Sequence, residues 1–198
     1  MNDLRCKGAA SVCAQRRTLL CRALSVAAAG LLQLPAAGAA SDARKLPPQP
    51  GDELVLPSWE SPVGAIKAGD VLSGAPPMLV FPRDPASGVA RERSRLNQIL
   101  LLRLAPASLP AAAREIAADD VLAYSGICTH AACGVTAWDA AQSALVCPCH
   151  ASHFAAADRG RVLSGPATRG LPLLPLTLSG ERLLVAGPFT GTVGATQP

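Results

Sequence analysis

The chain has 198 residues, 49% of them hydrophobic and 16% charged, enough apolar content to bury the core of one ordinary domain and far from a disordered composition. Of its 18 Lys/Arg and 14 Asp/Glu, residues 1–40 hold five (Arg5, Lys7, Arg16, Arg17, Arg22) and one (Asp3), which leaves 13 of each sign in residues 41–198. A neutral body with 3% aromatic residues has neither the basic footprint nor the stacking platforms of a nucleic-acid binder.

The first predicted element is a leader. Arg16-Arg17-Thr18-Leu19-Leu20 precedes an uncharged stretch, Ala23–Ala40, that is mostly Ala and Leu and ends in Ala37-Gly38-Ala39-Ala40. Basic region, weakly apolar region and small-residue cleavage site, in that order, predict a twin-arginine export signal over residues 1–40. Gly30, Gln33 and Pro35 make this stretch a poor membrane helix, so a cleaved, periplasmic product is expected; the alternative is an uncleaved signal retained as an anchor. Export has a redox consequence. In an oxidising compartment the four cysteines of the body must be bridged, metal-bound, or divided between the two.

Residues 41–52 carry Pro47, Pro48 and Pro50 and are expected to form an extended linker. Short apolar runs separated by Gly and Pro follow: Leu54–Leu56, Ala65–Leu72, Met78–Phe81, Ile99–Leu104, Val121–Ile127, Ala144–Val146, Leu173–Leu178 and Leu183–Ala186. Runs of this length predict an antiparallel β-sandwich or barrel, with Ser179-Gly180 as a hairpin turn between the last two. Arg83–Arg95 has no apolar period and is expected to be a solvated loop, and Ser108–Ala118, with Pro110 near its start and a run of Ala, permits one short helix. The chain has no internal repeat, phosphate-binding glycine motif or nucleophile elbow.

Chemistry concentrates in 26 residues: Cys128-Thr129-His130-Ala131-Ala132-Cys133, then 13 residues, then Cys147-Pro148-Cys149-His150-Ala151-Ser152-His153. Two Cys/His pairs, Cys128 with His130 and Cys147 with His150, stand on two loops that a hairpin tipped by Trp138 and Asp139–Ser143 can bring together. Two thiolates and two imidazoles suffice for one tetrahedral metal or for one two-iron, two-sulfide cluster. A structural zinc site draws its cysteines from one turn and its histidines from another, with no further thiols alongside. Here each loop supplies one of each and a spare cysteine, which disfavours a zinc module.

The motifs CTHAAC and CPCHAS resemble those of the Rieske [2Fe-2S] proteins, C-x-H-x-x-C and C-x-C-H-x-S. The resemblance implies a Rieske-type antiparallel β-sandwich over residues 53–190, with a small inserted cluster-binding subdomain at 126–170 and a tail at 191–198. It implies a [2Fe-2S] cluster held by Cys128, Cys147, His130 and His150, and a loop disulfide between Cys133 and Cys149, worth about 3 kcal/mol in the chain-entropy model. Ser152 matches a hydroxyl that donates to a cluster sulfide, and Ser164-Gly165-Pro166-Ala167 resembles a proline-containing loop that covers the cluster. Phe154 departs from the family, whose high-potential members have Tyr there, and Ala151 replaces the usual Gly. His153 falls outside the ligand pattern and is expected to be a solvated polar side chain. Replacing two thiolates by neutral imidazoles removes negative charge and moves the potential from about −400 mV to roughly −150 to +300 mV.

Within that family, an oxygenase needs a second iron held by two further histidines and a carboxylate, and His153 is the only histidine left. The chain is therefore expected to be an electron-transfer subunit rather than a complete enzyme. It is similar to the small subunit of arsenite oxidase in its leader, its size and the phrase Asp120-Val121-Leu122-Ala123-Tyr124-Ser125, which implies a large molybdopterin subunit as donor and a cytochrome c or small copper protein as acceptor. The alternative is the Rieske subunit of quinol:cytochrome c oxidoreductase, membrane-anchored within a cytochrome b/c complex.

Overall fold

The computed structural model of the chain describes residues 43–60, 64–105 and 111–196. The expected export signal, with Arg16 and Arg17, lies outside them. Ten strands are present among the described residues: β1 (Glu53–Val55), β2 (Met78–Arg83), β3 (Ile99–Arg103), β4 (Val121–Ser125), β5 (Ala137–Asp139), β6 (Ala144–Cys147), β7 (Ser152–Ala155), β8 (Arg161–Ser164), β9 (Leu176–Ser179) and β10 (Arg182–Val185). One helical turn, α1 (Ala111–Arg114), falls inside the segment that permitted a helix.

The fold is all-β, and every named strand pairing is antiparallel. A six-stranded sheet runs β4-β3-β2-β1-β10-β9 and a four-stranded sheet β5-β6-β7-β8. The chain leaves the large sheet after β4 and returns to it as β9, so the small sheet is an insertion.

Strands β3 and β4 show why their sequences are continuous apolar runs rather than alternating ones. Leu100, Leu102, Leu122 and Tyr124 point into a core shared with Leu145 and Phe154 of the small sheet. Their neighbours Ile99, Leu101, Val121 and Ala123 point the other way, into a second core with Leu54, Val80, Leu174, Leu183 and Val185. A strand covered on both faces has no side on which water favours a polar residue. The buried Tyr124 hydroxyl donates to the carbonyl of Ala156 at 2.8 Å and ties the inserted subdomain to the large sheet. Burial pushes the phenol pKa far up, so it remains a donor at any physiological pH.

The hairpin turn between the last two runs is present, with Ser179 paired to Arg182. Gly180 has φ +61°, as a two-residue hairpin turn requires at its first position. Ala65–Leu72 is not a strand. Ile66, Ala68 and Val71 are buried, but the segment makes one isolated bridge (Lys67 to Arg182) and a 3-10 turn, Ala68–Asp70.

Arg83–Arg95 is not uniformly solvated. Arg83 closes β2 against Glu53 at 2.7 Å, and Arg91 is buried. Its Nε and Nη2 donate to Asp52 at 2.7 and 2.9 Å, and its Nη1 donates to the Ala43 carbonyl at 3.1 Å. Asn97, also buried, donates to the carbonyls of Leu46 and Arg91. Together they dock the proline-rich residues 43–52 on the domain. A carboxylate 39 positions away leaves no local trace, which is why the segment looks hydrophilic in sequence.

Candidate metal centre

The first loop, Ile127–Gly134, leaves β4 as a closed finger. Its base is a bridge between Ile127 and Gly134, and the Cys128 N–H donates to the Cys133 carbonyl at 2.8 Å. Thr129 pins the finger from the side, its hydroxyl donating to the Arg169 carbonyl at 2.6 Å. The second loop joins β6 to β7, with Cys147 and Ser152 paired across its base. Ala151 has φ +54° in this turn, the conformation for which the family's glycine is suited. A disulfide joins Cys133 to Cys149, one cysteine from each loop.

That bond divides the four cysteines by role. The sulfurs of Cys133, Cys147 and Cys149 lie within 4.8 Å of one another, but two of the three are joined to each other and offer no thiolate. Among the described residues the free thiols are Cys128 and Cys147, both buried. Burial pushes the Cys147 thiol up from its ordinary value, as does the neighbouring Cys128, while the Cys149 and His150 backbone opposes the rise.

Beside the thiols, the rings of His130 and His150 meet edge to face, with centroids 4.7 Å apart. His150 is exposed, and His130 is half-buried with its Nδ1 sealed from solvent and without a hydrogen-bond partner. A buried nitrogen lacking a partner costs free energy that a metal bond offsets. Two protected thiols, two facing imidazoles and an orphaned inward nitrogen fit a two-iron cluster whose sulfur-ligated iron is buried and whose imidazole-ligated iron is nearer the surface.

The surrounding residues hold the second loop. Buried Ser152 accepts the Ala167 N–H at 3.2 Å, so its hydroxyl proton remains available to another acceptor. Gly165, at φ +86°, lies so close to this loop that a Cβ would fall 2.5 Å from the Ala151 oxygen and 2.5 Å from Ser152 Cα. We expect Gly165→Ala to destabilise the protein by about 2 kcal/mol, from backbone strain and overpacking together. An unchanged thermal midpoint in the variant would show that the covering loop does not press on Ser152. Pro166 beside it is exposed. Phe154 is fully buried in the same core as Cys128 and Cys147.

His153 departs from expectation: it is half-buried on β7, opposite Val146 and Ser164, and its Nδ1 is buried without a partner. Thr129 and Tyr124 are the supporting residues that the sequence did not single out by role. Thr129 lies within the first motif, and its position between Cys128 and His130 is the signal that was available.

Residues 97–175 match the family model described as Rieske [2Fe-2S] domain. Those residues form a Rieske domain, which binds a [2Fe-2S] cluster. It is 38% identical over 124 residues to a protein named as the Rieske subunit of respiratory nitrate reductase in Haloferax mediterranei, covering 62% of this chain and 53% of that one. It is 46% identical over 76 residues to the cytochrome bc1 complex Rieske iron-sulfur subunit of Corynebacterium diphtheriae, covering 38% and 19%. The chain thus spans about half the length of the first relative and a fifth of the second. Among solved structures it overlaps the cyanobacterial plasma membrane Rieske protein of Synechocystis with a TM-score of 0.37 at 28% identity, over 54% of this chain and 84% of that one.

Proposed function

We propose that the chain is an exported one-electron relay, the small subunit of a periplasmic molybdopterin oxidoreductase of the arsenite oxidase type. Cys128 and Cys147 would hold one iron of the cluster, and His130 and His150 the other. The observation that carries this assignment is the pairing of two free buried thiols with two facing imidazoles beside a disulfide that removes the other two cysteines of the two loops. When bound, the cluster takes up and releases one electron at a time. The protein's own part is to keep water from the thiols, to orient His130 and His150 toward the surface, and to brace both loops through Thr129, Ser152 and Gly165.

Phe154 supports a relay distinct from the high-potential quinol-oxidising type. A Tyr hydroxyl at this buried site can donate to a ligand sulfur, and a bond worth roughly 1 kcal/mol more in the reduced state raises the potential by about 40 mV. Phe154→Tyr is therefore expected to raise the midpoint potential by about 40 mV in a spectroelectrochemical titration. An unchanged or lower value would mean that the hydroxyl reaches no sulfur.

The second reading is the Rieske subunit of a cytochrome bc1 complex, favoured by relatives of that name, including one in Streptomyces lividans that is 37% identical over 98 residues. The relative named as a nitrate reductase subunit supports placement outside that complex. Among the described residues no helix is long and apolar enough to cross a membrane. Fractionation and copurification separate the two. A form soluble after cell-envelope release that brings down a large molybdenum subunit is expected; carbonate-resistant membrane retention together with cytochrome b would overturn the proposal.

A further inference from the structure

Residues 41–198 hold equal numbers of acidic and basic side chains, yet the charges are not evenly matched in space. Lys67 pairs with Glu181, Arg83 and Arg182 with Glu53, Arg91 with Asp52, Arg103 with Asp119, and Arg161 with Asp158. Arg95 and Arg169 pair with no carboxylate among the described residues. Their guanidiniums rest on backbone carbonyls instead: Arg95 Nη2 on Ala132 at 2.6 Å, Arg169 Nη1 and Nη2 on Thr192 and Gly194 at 3.2 and 2.7 Å. A neutral carbonyl orients a cation and leaves its charge uncompensated.

Both cations flank the first loop. Ala132 belongs to it, and the Arg169 carbonyl accepts the Thr129 hydroxyl. Gly194 packs against it so closely that a Cβ would meet Ala132 Cβ and Ile127 Cγ2 at 3.4 Å. The loops themselves, residues 126–136, 147–152 and 163–168, contain no Asp, Glu, Lys or Arg. Asp139, the next acidic residue along the chain, spends its carboxylate on the N–H groups of Ala141 and Gln142 in its own hairpin turn. The exposed parts of this face are otherwise small or apolar: Ala131, Pro148, Pro166 and Leu96.

We propose that this face docks an acidic one-electron carrier protein, whose carboxylates meet Arg95 and Arg169 around an apolar contact over His150. The proposal rests on the electron-relay reading and adds the chemistry of the partner. Cations at the rim of such a contact act chiefly on encounter rate and register, and salt screens them over a Debye length of about 10 Å at 0.1 M.

The test uses the cluster-loaded full chain, reduced and mixed in stopped flow with hexacyanoferrate(III) or tris(1,10-phenanthroline)cobalt(III). Each accepts one electron from the reduced cluster and becomes the iron(II) or cobalt(II) complex. Between 10 and 300 mM salt the rate with the anionic complex is expected to fall roughly tenfold, and that with the cationic complex to rise. The double variant Arg95→Gln/Arg169→Gln should lose most of this dependence. Lys67→Gln removes one positive charge, as either single Gln variant would, but beside Asp119, at the opposite end of β4 from the loop, and should keep the dependence. Arg95→Lys retains the charge and should behave as the parent, which guards against a folding defect in the Gln variants.

Calorimetric titration of the oxidised protein with an acidic cytochrome c reads docking without electron transfer. The double variant should bind about tenfold more weakly, the scale of a rim charge effect. Equal salt responses for the two complexes, or a double variant that titrates like the parent, would overturn the proposal. Failure to reduce either complex would instead overturn the relay reading.

Discussion

Cys147→Ser is expected to yield a folded protein that has lost its cluster. Cys147 ends β6, is buried, and is one of only two free thiols among the described residues. A serine hydroxyl does not ionise at neutral pH and is a poor ligand for the thiolate-bound iron, so the remaining donors fall one short. The fold itself draws on two apolar cores and ten strands, and most of both cores lies away from residue 147. Iron content and visible absorption should therefore vanish, while far-ultraviolet dichroism persists. Cys133→Ser makes the contrast. It cuts the disulfide, removes about 3 kcal/mol of constraint on the unfolded chain, and leaves all four proposed ligands, so the cluster should assemble but be lost sooner on heating. Full iron occupancy in Cys147→Ser would remove this residue from the ligand set.

The second large effect is expected far from the cluster. Asp52→Ala leaves the Arg91 guanidinium buried, with the Ala43 carbonyl as its remaining side-chain acceptor. Breaking a buried ion pair from one side costs about 3–5 kcal/mol, because the surviving charge is stranded. The hydrogen bond that chiefly raises the Arg91 pKa is lost with Asp52, but a guanidinium's ordinary value is already so high that the arginine will not relieve the strain by losing its proton. Urea unfolding should show a lower midpoint with little change in slope. Asp52→Ala/Arg91→Met, which removes both charges, should recover most of the loss, as a strongly coupled pair requires. A cost below about 1 kcal/mol for the single variant, the range of exposed pairs, would show that this pair is solvated in solution.

The site was legible in sequence because its chemistry is compressed into two short motifs that contain every proposed ligand. The large sheet was legible for a different reason. β1, β2, β3, β4 and β10 contribute to the two cores and keep apolar runs, whereas β9 is exposed beyond Leu176 and is legible through the Ser179-Gly180 turn that joins it to β10. The small sheet was less visible. β7 reads Ser-His-Phe-Ala and β8 reads Arg-Val-Leu-Ser, the latter largely exposed, so neither carries a run for periodicity to find. They are strands because β6 offers β7 a partner and β7 in turn offers one to β8, while the disulfide and covering loop hold the fingers above them. The buried Arg91 was missed because an ion pair across 39 residues depends on tertiary proximity, which a local charge pattern cannot report. Gly165 was named for its loop, but the reason only glycine fits there, backbone against backbone at Ala151 and Ser152, is a property of the assembled site.

The central claim is that two thiols and two imidazoles on neighbouring fingers hold one diiron core bridged by two inorganic sulfides. Quantifying iron and acid-labile sulfide in the purified, anaerobically reconstituted chain tests it most directly. Two irons and two sulfides per chain are predicted, with both lost together in Cys147→Ser. A colourless protein without iron, or a single zinc in place of iron and sulfide, would contradict it.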